Sequence, residues 1–177
     1  QTRIHKKIAE KTARNGARNG VITGYPGLDD FLFKKRQSDR LEKRKKHVIW
    51  APHHTIEGFE TNLNFSNFMR YSSFFQELAN RYKEEIFFTF KPHPFLKNRL
   101  YNSDKWGKNK TDNYFKFWSE NDYCSLNEGN YDKLFWESDA MIHDCDSFLA
   151  EYISTNKPAL YTLKDDEVTN RMNEFGK

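Results

Sequence analysis

Cysteine is nearly absent: Cys124 and Cys145 are the only two. Two thiols cannot make a disulfide scaffold, stand too far apart for zinc-ligand spacing, and point to a reducing compartment. No stretch approaches the roughly 20 consecutive apolar residues that a membrane-spanning helix needs, so none is expected. The first thirty residues lack the apolar region of a signal peptide. There is no Walker loop, no G-x-G-x-x-G and no G-x-S-x-G, which removes the common nucleotide and hydrolase signatures. An initiating Met is also missing, so a piece of something longer is expected. Aromatics, by contrast, are plentiful: 16 Phe, and 16% of the chain as Phe, Trp or Tyr. Disordered chains are poor in such residues, and 177 residues suffice for one sizeable core, as one domain or one domain plus a fragment.

The charge is modest, +4 from 29 Lys+Arg and 25 Asp+Glu, but it is unevenly placed. Eight Lys or Arg fall between positions 34 and 46, against Asp39 and Glu42. This compositional shift marks a domain boundary. Residues 1–46 read as the end of a preceding domain plus a basic linker, and 47–177 as a second domain. The first part offers a basic helix over 4–17, stop signals at Asn15-Gly16 and Asn19-Gly20, and a short strand Val21-Ile22-Thr23.

From His47 onward, apolar runs alternate with amphipathic segments. Val48–Ala51, Ile86–Phe90, Tyr123-Cys124, Ala140–His143 and Ala159–Tyr161 read as strands. A helix is expected over 65–82, with Phe68, Tyr71, Phe74, Phe75, Leu78, Ala79 and Tyr82 on one face. Further helices are expected over 112–120, 132–137 and 147–154. Near-continuous apolar strands alternating with helices predict an α/β fold: a Rossmann-like parallel sheet with helices on both faces.

Polar residues gather where these strands end. His53, His54, His93 and His143 all lie at or just past the carboxyl end of a predicted strand. In an open parallel sheet those ends share one edge, where the ligand crevice opens. Lys91-Pro92-His93-Pro94 brings a cation and an imidazole to one strand mouth, suited to phosphate. In His143-Asp144-Cys145-Asp146-Ser147, Asp146 or Ser147 is placed to cap the next helix, whose free N–H groups would form an anion site. Asp144 and Asp146 also spell a carboxylate pair for a divalent cation. A hard cation wants more oxygen ligands than are visible, so no metal site is assigned and no cofactor is certain, with Mg2+ dependence left open. Adjacent side chains such as His53 and His54 are expected to diverge, which speaks against zinc there.

Several blocks resemble the CDP-glycerol glycerophosphotransferase family of teichoic-acid and capsule biosynthesis. They are Val21–Asp29, Trp50–Thr55, Lys91–Pro94, and the run from Ser138-Asp139 through His143-Asp144 and Ser147 to Glu151-Tyr152, Lys157-Pro158 and Tyr161. The resemblance implies the C-terminal, donor-nucleotide-binding half of a GT-B transferase, with two Rossmann-like halves across a cleft. It implies that His93 and Ser147 contact the pyrophosphate, that Lys91 adds positive charge, and that Glu151 reaches the ribose. The sequence departs from the pattern twice. Asp146 replaces a hydroxyl residue and would repel phosphate, and His53-His54 replaces a Thr plus an aromatic.

The implied reaction moves glycerol phosphate, or a similar alditol phosphate, from a CDP-activated donor to a polymer or lipid-linked acceptor. His93 would protonate the leaving group as a catalytic residue, since an ordinary His pKa lies near working pH. His53, His54, His143, Asp144 and Asp146 would line the substrate site. The base activating the acceptor is expected on another half, leaving this piece inactive alone. The implied location is the cytoplasm, peripheral on the inner face of the bacterial membrane, with the basic run as the contact. One alternative is a GT-B transferase using a nucleotide-sugar. Another is nucleic-acid binding through the basic run and aromatics, which the core-facing spacing of the Phe residues opposes, so no nucleic-acid partner is expected.

Overall fold

A computed structural model describes residues 2–34, 45–57 and 64–164. The described residues up to 34 belong to one compact unit and those from 45 to 164 to another. Most of the basic run, residues 35–44, lies outside the described residues.

The first unit holds helices α1 (Arg3–Thr12) and α2 (Gly27–Lys34). Thr2 caps α1, its hydroxyl accepting the His5 N–H at 3.4 Å. The helix is shorter than its sequence pattern suggests, because the chain turns through Gly16, at φ +59°, a left-handed conformation that suits glycine. The expected strand Val21–Thr23 does not form: these residues carry no ladder, and Val21 is 77% exposed. A strand needs a partner, and three apolar residues do not supply one.

The second unit is the predicted α/β fold. Strands β1 (Lys46–Ala51), β2 (Ile86–Phe90), β3 (Cys124–Leu126), β4 (Ala140–His143) and β5 (Ala159–Tyr161) form one sheet in the order β3-β2-β1-β4-β5. Every pairing is parallel. Helices α3 (Phe68–Arg81), α4 (Leu96–Tyr101), α5 (Gly107–Glu120), α6 (Asp132–Glu137) and α7 (Leu149–Ile153) make the crossovers. Right-handed crossovers carry α3, α4 and α5 to one face of the sheet and α6 and α7 to the other.

Strand alternation divides the core accordingly. Trp50, Phe88, Phe90 and Cys124 pack with Phe68 and Phe75 of α3 and with Tyr114, Phe115 and Trp118 of α5. The Trp50 ring stacks 4.3 Å from Phe75 and 5.1 Å from Phe90. Helix α5 begins five residues earlier than expected, with Thr111, Tyr114, Phe115 and Trp118 forming a buried i, i+3, i+4, i+7 stripe. Helix α4 was not expected; its Leu96 and Leu100, one turn apart, are fully buried. One assignment on α3 is corrected: Phe74 is 50% exposed, while the polar Ser72 is buried in its stead. Most of the aromatics named here are therefore part of the core.

Replacing Phe90 by Ala is expected to cost about 3–5 kcal/mol, by lost burial and an uncollapsed cavity. Phe74→Ala should cost about 0.5 kcal/mol or less. Urea unfolding of both variants checks this, and equal midpoints would contradict the packing described.

Candidate functional site: a histidine cluster at the switch point of the sheet

From β1 the chain crosses toward β2, and from β4 it crosses the opposite way to β5. The carboxyl ends of β1 and β4 therefore flank the point where strand order reverses, the position at which open parallel sheets form a ligand crevice. The predicted site residues lie at or just past the carboxyl ends of β1, β2 and β4, except Glu151, which lies on α7.

Strand register brings the first group together. Trp50 pairs with Phe90, and the ladder continues past the strands: Lys91 N–H donates to Trp50 O at 2.8 Å and His93 N–H to Pro52 O at 3.1 Å. Two Pro-His dipeptides, Pro52-His53 and Pro92-His93, thus run side by side. Ring centroids lie 4.8 Å apart for His53 and His93, 4.2 Å for His53 and His54, and 4.1 Å for His54 and His93. One ring nitrogen from each lies within 4.8 Å of the other two. The expected divergence of His53 and His54 is corrected here, because the chain bends at His54, whose ring lies against both neighbours. Phe95, 63% exposed, flanks the cluster 5.4 Å from His93.

All three imidazoles resist protonation. Burial, then the charges of His54 and His93, push His53 down to about 3. Burial, then His54 and Lys91, push His93 down to about 4, well below the near-neutral value expected of a proton donor at working pH. His54 is lowered by burial and then by Arg99. Lys91 is less open than its motif suggests: it is 3% exposed, with its ammonium lowered by burial and partly held by the charge of Glu128.

Asp144 is the post beneath this cluster. It is 1% exposed, and its two oxygens accept the backbone N–H groups of His53 and Asn67, each at 2.7 Å. One carboxylate therefore joins the end of β4 to the loop after β1 and to the start of α3. Burial raises its pKa to about 6 against those donors. This corrects its assignment as a substrate ligand, since its carboxylate is buried against the backbone that it braces. The proposed carboxylate pair does not fit a divalent cation either, because Asp144 is committed to N–H donors and leaves Asp146 alone.

The β4 side differs from expectation in several respects. His143 is 2% exposed, its Nδ1 bonded to Cys145 O at 2.8 Å and its ring 4.9 Å from Tyr161, so it packs inside the sheet edge and does not line the crevice. The expected helix over 147–154 starts as a 3-10 turn, Asp146–Phe148, before the five-residue α7. Neither Asp146 nor Ser147 caps it. Ser147 is exposed, and Asp146 Oδ1 is buried without a partner. So short a helix supplies little dipole for an anion. Glu151 accepts from Tyr131 OH at 3.3 Å.

Two residues to which the sequence reading gave no role orient the cluster. Phe95 N–H donates to His93 Nδ1 at 3.1 Å, and Thr55 approaches His53 Nδ1 through its N–H at 3.4 Å and its hydroxyl at 3.0 Å. The repeated Pro-His at matched strand ends was the signal that could have found this pairing.

Two outcomes follow. Asp144→Ala, which strands two N–H groups, one of them buried, should cost about 2–4 kcal/mol in urea unfolding. The pH dependence runs as follows: His53 and His93 have native pKa values below 6.5, so the unfolded chain binds more protons as pH falls, and their stability contribution is full above pH 6.5 and lost toward pH 4. Asp144 acts in the opposite sense below pH 6. The difference in Tm between wild type and His53→Gln isolates the histidine part. Between pH 7 and 5 the wild type should lose more, by roughly 1 kcal/mol once solvent screening is allowed for; parallel curves would contradict it.

Comparison with known proteins matches the chain, over residues 1–173, to the family described as CDP-Glycerol:Poly(glycerophosphate) glycerophosphotransferase. It is similar to the teichoic acid ribitol-phosphate polymerase TarL of Staphylococcus aureus, 29% identical over 87% of this chain and 27% of the relative. It is also similar to the teichoic acid poly(ribitol-phosphate) polymerase of Bacillus spizizenii, 27% identical over 89% of this chain and 24% of the relative. The chain thus spans about a quarter of the length of these relatives. No solved structure gives a significant match. A match over nearly the whole chain, on a parallel sheet with imidazoles gathered at its switch point, places it plainly: this chain belongs to the CDP-glycerol:poly(glycerophosphate) glycerophosphotransferase family.

Proposed function

We propose that the chain is the donor-binding half of a GT-B transferase. It would move glycerol phosphate, or a similar alditol phosphate, from a CDP-activated donor to a polymer acceptor. The observation that carries this reading is the cluster of His53, His54 and His93 at the switch point, in a member of this family. The printed names of the two relatives, both polymerases of ribitol phosphate, support an alditol phosphate as the transferred unit. In the reaction, the acceptor hydroxyl oxygen forms a bond to the phosphorus bearing the alditol. The bond from that phosphorus to the bridging oxygen breaks, CMP leaves with the electron pair, and the hydroxyl proton passes to a base. This chain contributes positioning and hydrogen bonds to phosphate oxygens, which need no reorganisation when charge shifts onto the leaving nucleotide. The basic run at 34–46 supports a place beside anionic lipid on the inner membrane face.

Calorimetric titration with CDP-glycerol, CDP-ribitol, CMP and UDP-sugars tests the reading. Binding of CMP and of one CDP-alditol is expected. Silence toward every nucleotide sinks it, and preference for a UDP-sugar transfers the site to sugar chemistry. In the full-length enzyme, His93→Ala should lower turnover at least tenfold, a lost hydrogen bond to a charged group being worth about 1.5–3 kcal/mol.

A further inference from the structure

Three imidazoles this close suit either a transition metal or an oxyanion, and the ring nitrogens decide between them. A metal-bound imidazole gives its lone pair to the ion and its other N–H to an acceptor, such as a carbonyl or carboxylate. Here the second nitrogen faces donors. His93 Nδ1 accepts the Phe95 N–H at 3.1 Å. His53 Nδ1 accepts the Thr55 N–H at 3.4 Å, with the Thr55 hydroxyl 3.0 Å away. An Nδ1 that accepts a hydrogen bond has no proton, so in both rings the proton sits on Nε2. Protonating Nδ1 to free Nε2 for a metal would set N–H against N–H.

We propose that His53 and His93 form a clamp for phosphate oxygens, each donating one hydrogen bond through Nε2–H from a tautomer fixed by the N–H two residues on. The clamp rests on the donor-binding reading and goes beyond it: it adds His53 to the site and makes His93 a hydrogen-bond donor in place of a general acid. A neutral imidazole gives up its remaining N–H proton far too reluctantly to protonate a leaving group. CMP departs as a phosphate monoester and does not need that proton. His54, packed against both rings, keeps them uncharged by proximity, since three cations within 5 Å repel. The charged groups around the clamp are Lys91 beside His93, Arg99 beside His54 and Asp144 beneath the His53 N–H. Parallel register sets the two Pro-His dipeptides side by side and brings the two rings 4.8 Å apart.

The test is titration of the 15N-histidine-labelled 177-residue chain with inorganic pyrophosphate and, separately, Zn2+, read by multiple-bond 1H–15N spectra. His53 and His93 should show the Nε2–H tautomer before titration, and their signals should shift with pyrophosphate. His53→Gln keeps a donor near the Nε2 position and should bind pyrophosphate within about threefold of wild type. His53→Asn moves the donor back along the side chain and should weaken binding roughly tenfold or more, the worth of one charge-assisted hydrogen bond. The Nδ1–H tautomer, stoichiometric Zn2+ binding in place of pyrophosphate, no pyrophosphate binding, or equal affinity in the Asn variant would each overturn the clamp. Should pyrophosphate bind as expected while no CDP-alditol does, the clamp stands and the donor-binding reading falls. Should a CDP-alditol bind equally to wild type and His53→Asn, the reverse holds.

Discussion

Strand β1 sits at the centre of the sheet, paired in parallel with β2 on one side and β4 on the other, and its register with both sets where the polar residues stand. Parallel ladders hold successive strands in step, so equal offsets from two strand ends become neighbours in space. Trp50 faces Phe90, and three residues on, His53 faces His93. On the other flank Ala51 pairs with His143, which brings Asp144 beneath the loop that follows β1. A one-residue slip of either neighbour would separate the histidines or deprive Asp144 of its donors. A slip of β2 would also turn Phe90 out of the aromatic core.

The core and the site are therefore secured by the same pairing but stabilised differently. Dispersion and burial among Trp50, Phe68, Phe75 and Phe90 hold the face that α3 and α5 cover. The loops above depend on directed bonds: a buried carboxylate holding two N–H groups, and backbone N–H groups that hold imidazoles in one tautomer. Several residues of the family blocks belong to this supporting frame. Asp139 accepts His47 N–H at 2.7 Å at the opposite end of β1, and Lys157 donates to the Phe135 and Trp136 carbonyls that close α6. Sequence blocks that read as chemistry are partly the scaffolding that makes the chemistry positional.

Legibility differed by element for physical reasons. Strands β1, β2 and β4 were plain because strands buried on both faces are apolar throughout, and α3 because its aromatics follow the helical period. Helix α4 was hidden because a six-residue helix offers only two apolar positions, Leu96 and Leu100. Phe74 misled because an exposed Phe has the same letter as a buried one. At the site, His53, His54 and His93 were each visible as strand-end residues, whereas their convergence was not. The role of Asp144 was misread because an acidic residue in a polar cluster looks like a ligand until its partners are seen. The roles of Thr55 and Phe95 were invisible, since the groups that matter are backbone N–H groups aimed by local turns.

By itself, the sequence determined the class of fold, the sheet edge that carries the strand-end histidines and the family, because hydrophobic periodicity, strand-end residues and motif blocks are local properties of the chain. Only the tertiary structure decided which of those residues meet, which are buried, and which backbone N–H groups face the rings of His53 and His93. The first two depend on distances between segments separated by some forty to ninety residues, as His53 is from His93 and Asp144. Strand pairing, and not chain order, sets such distances.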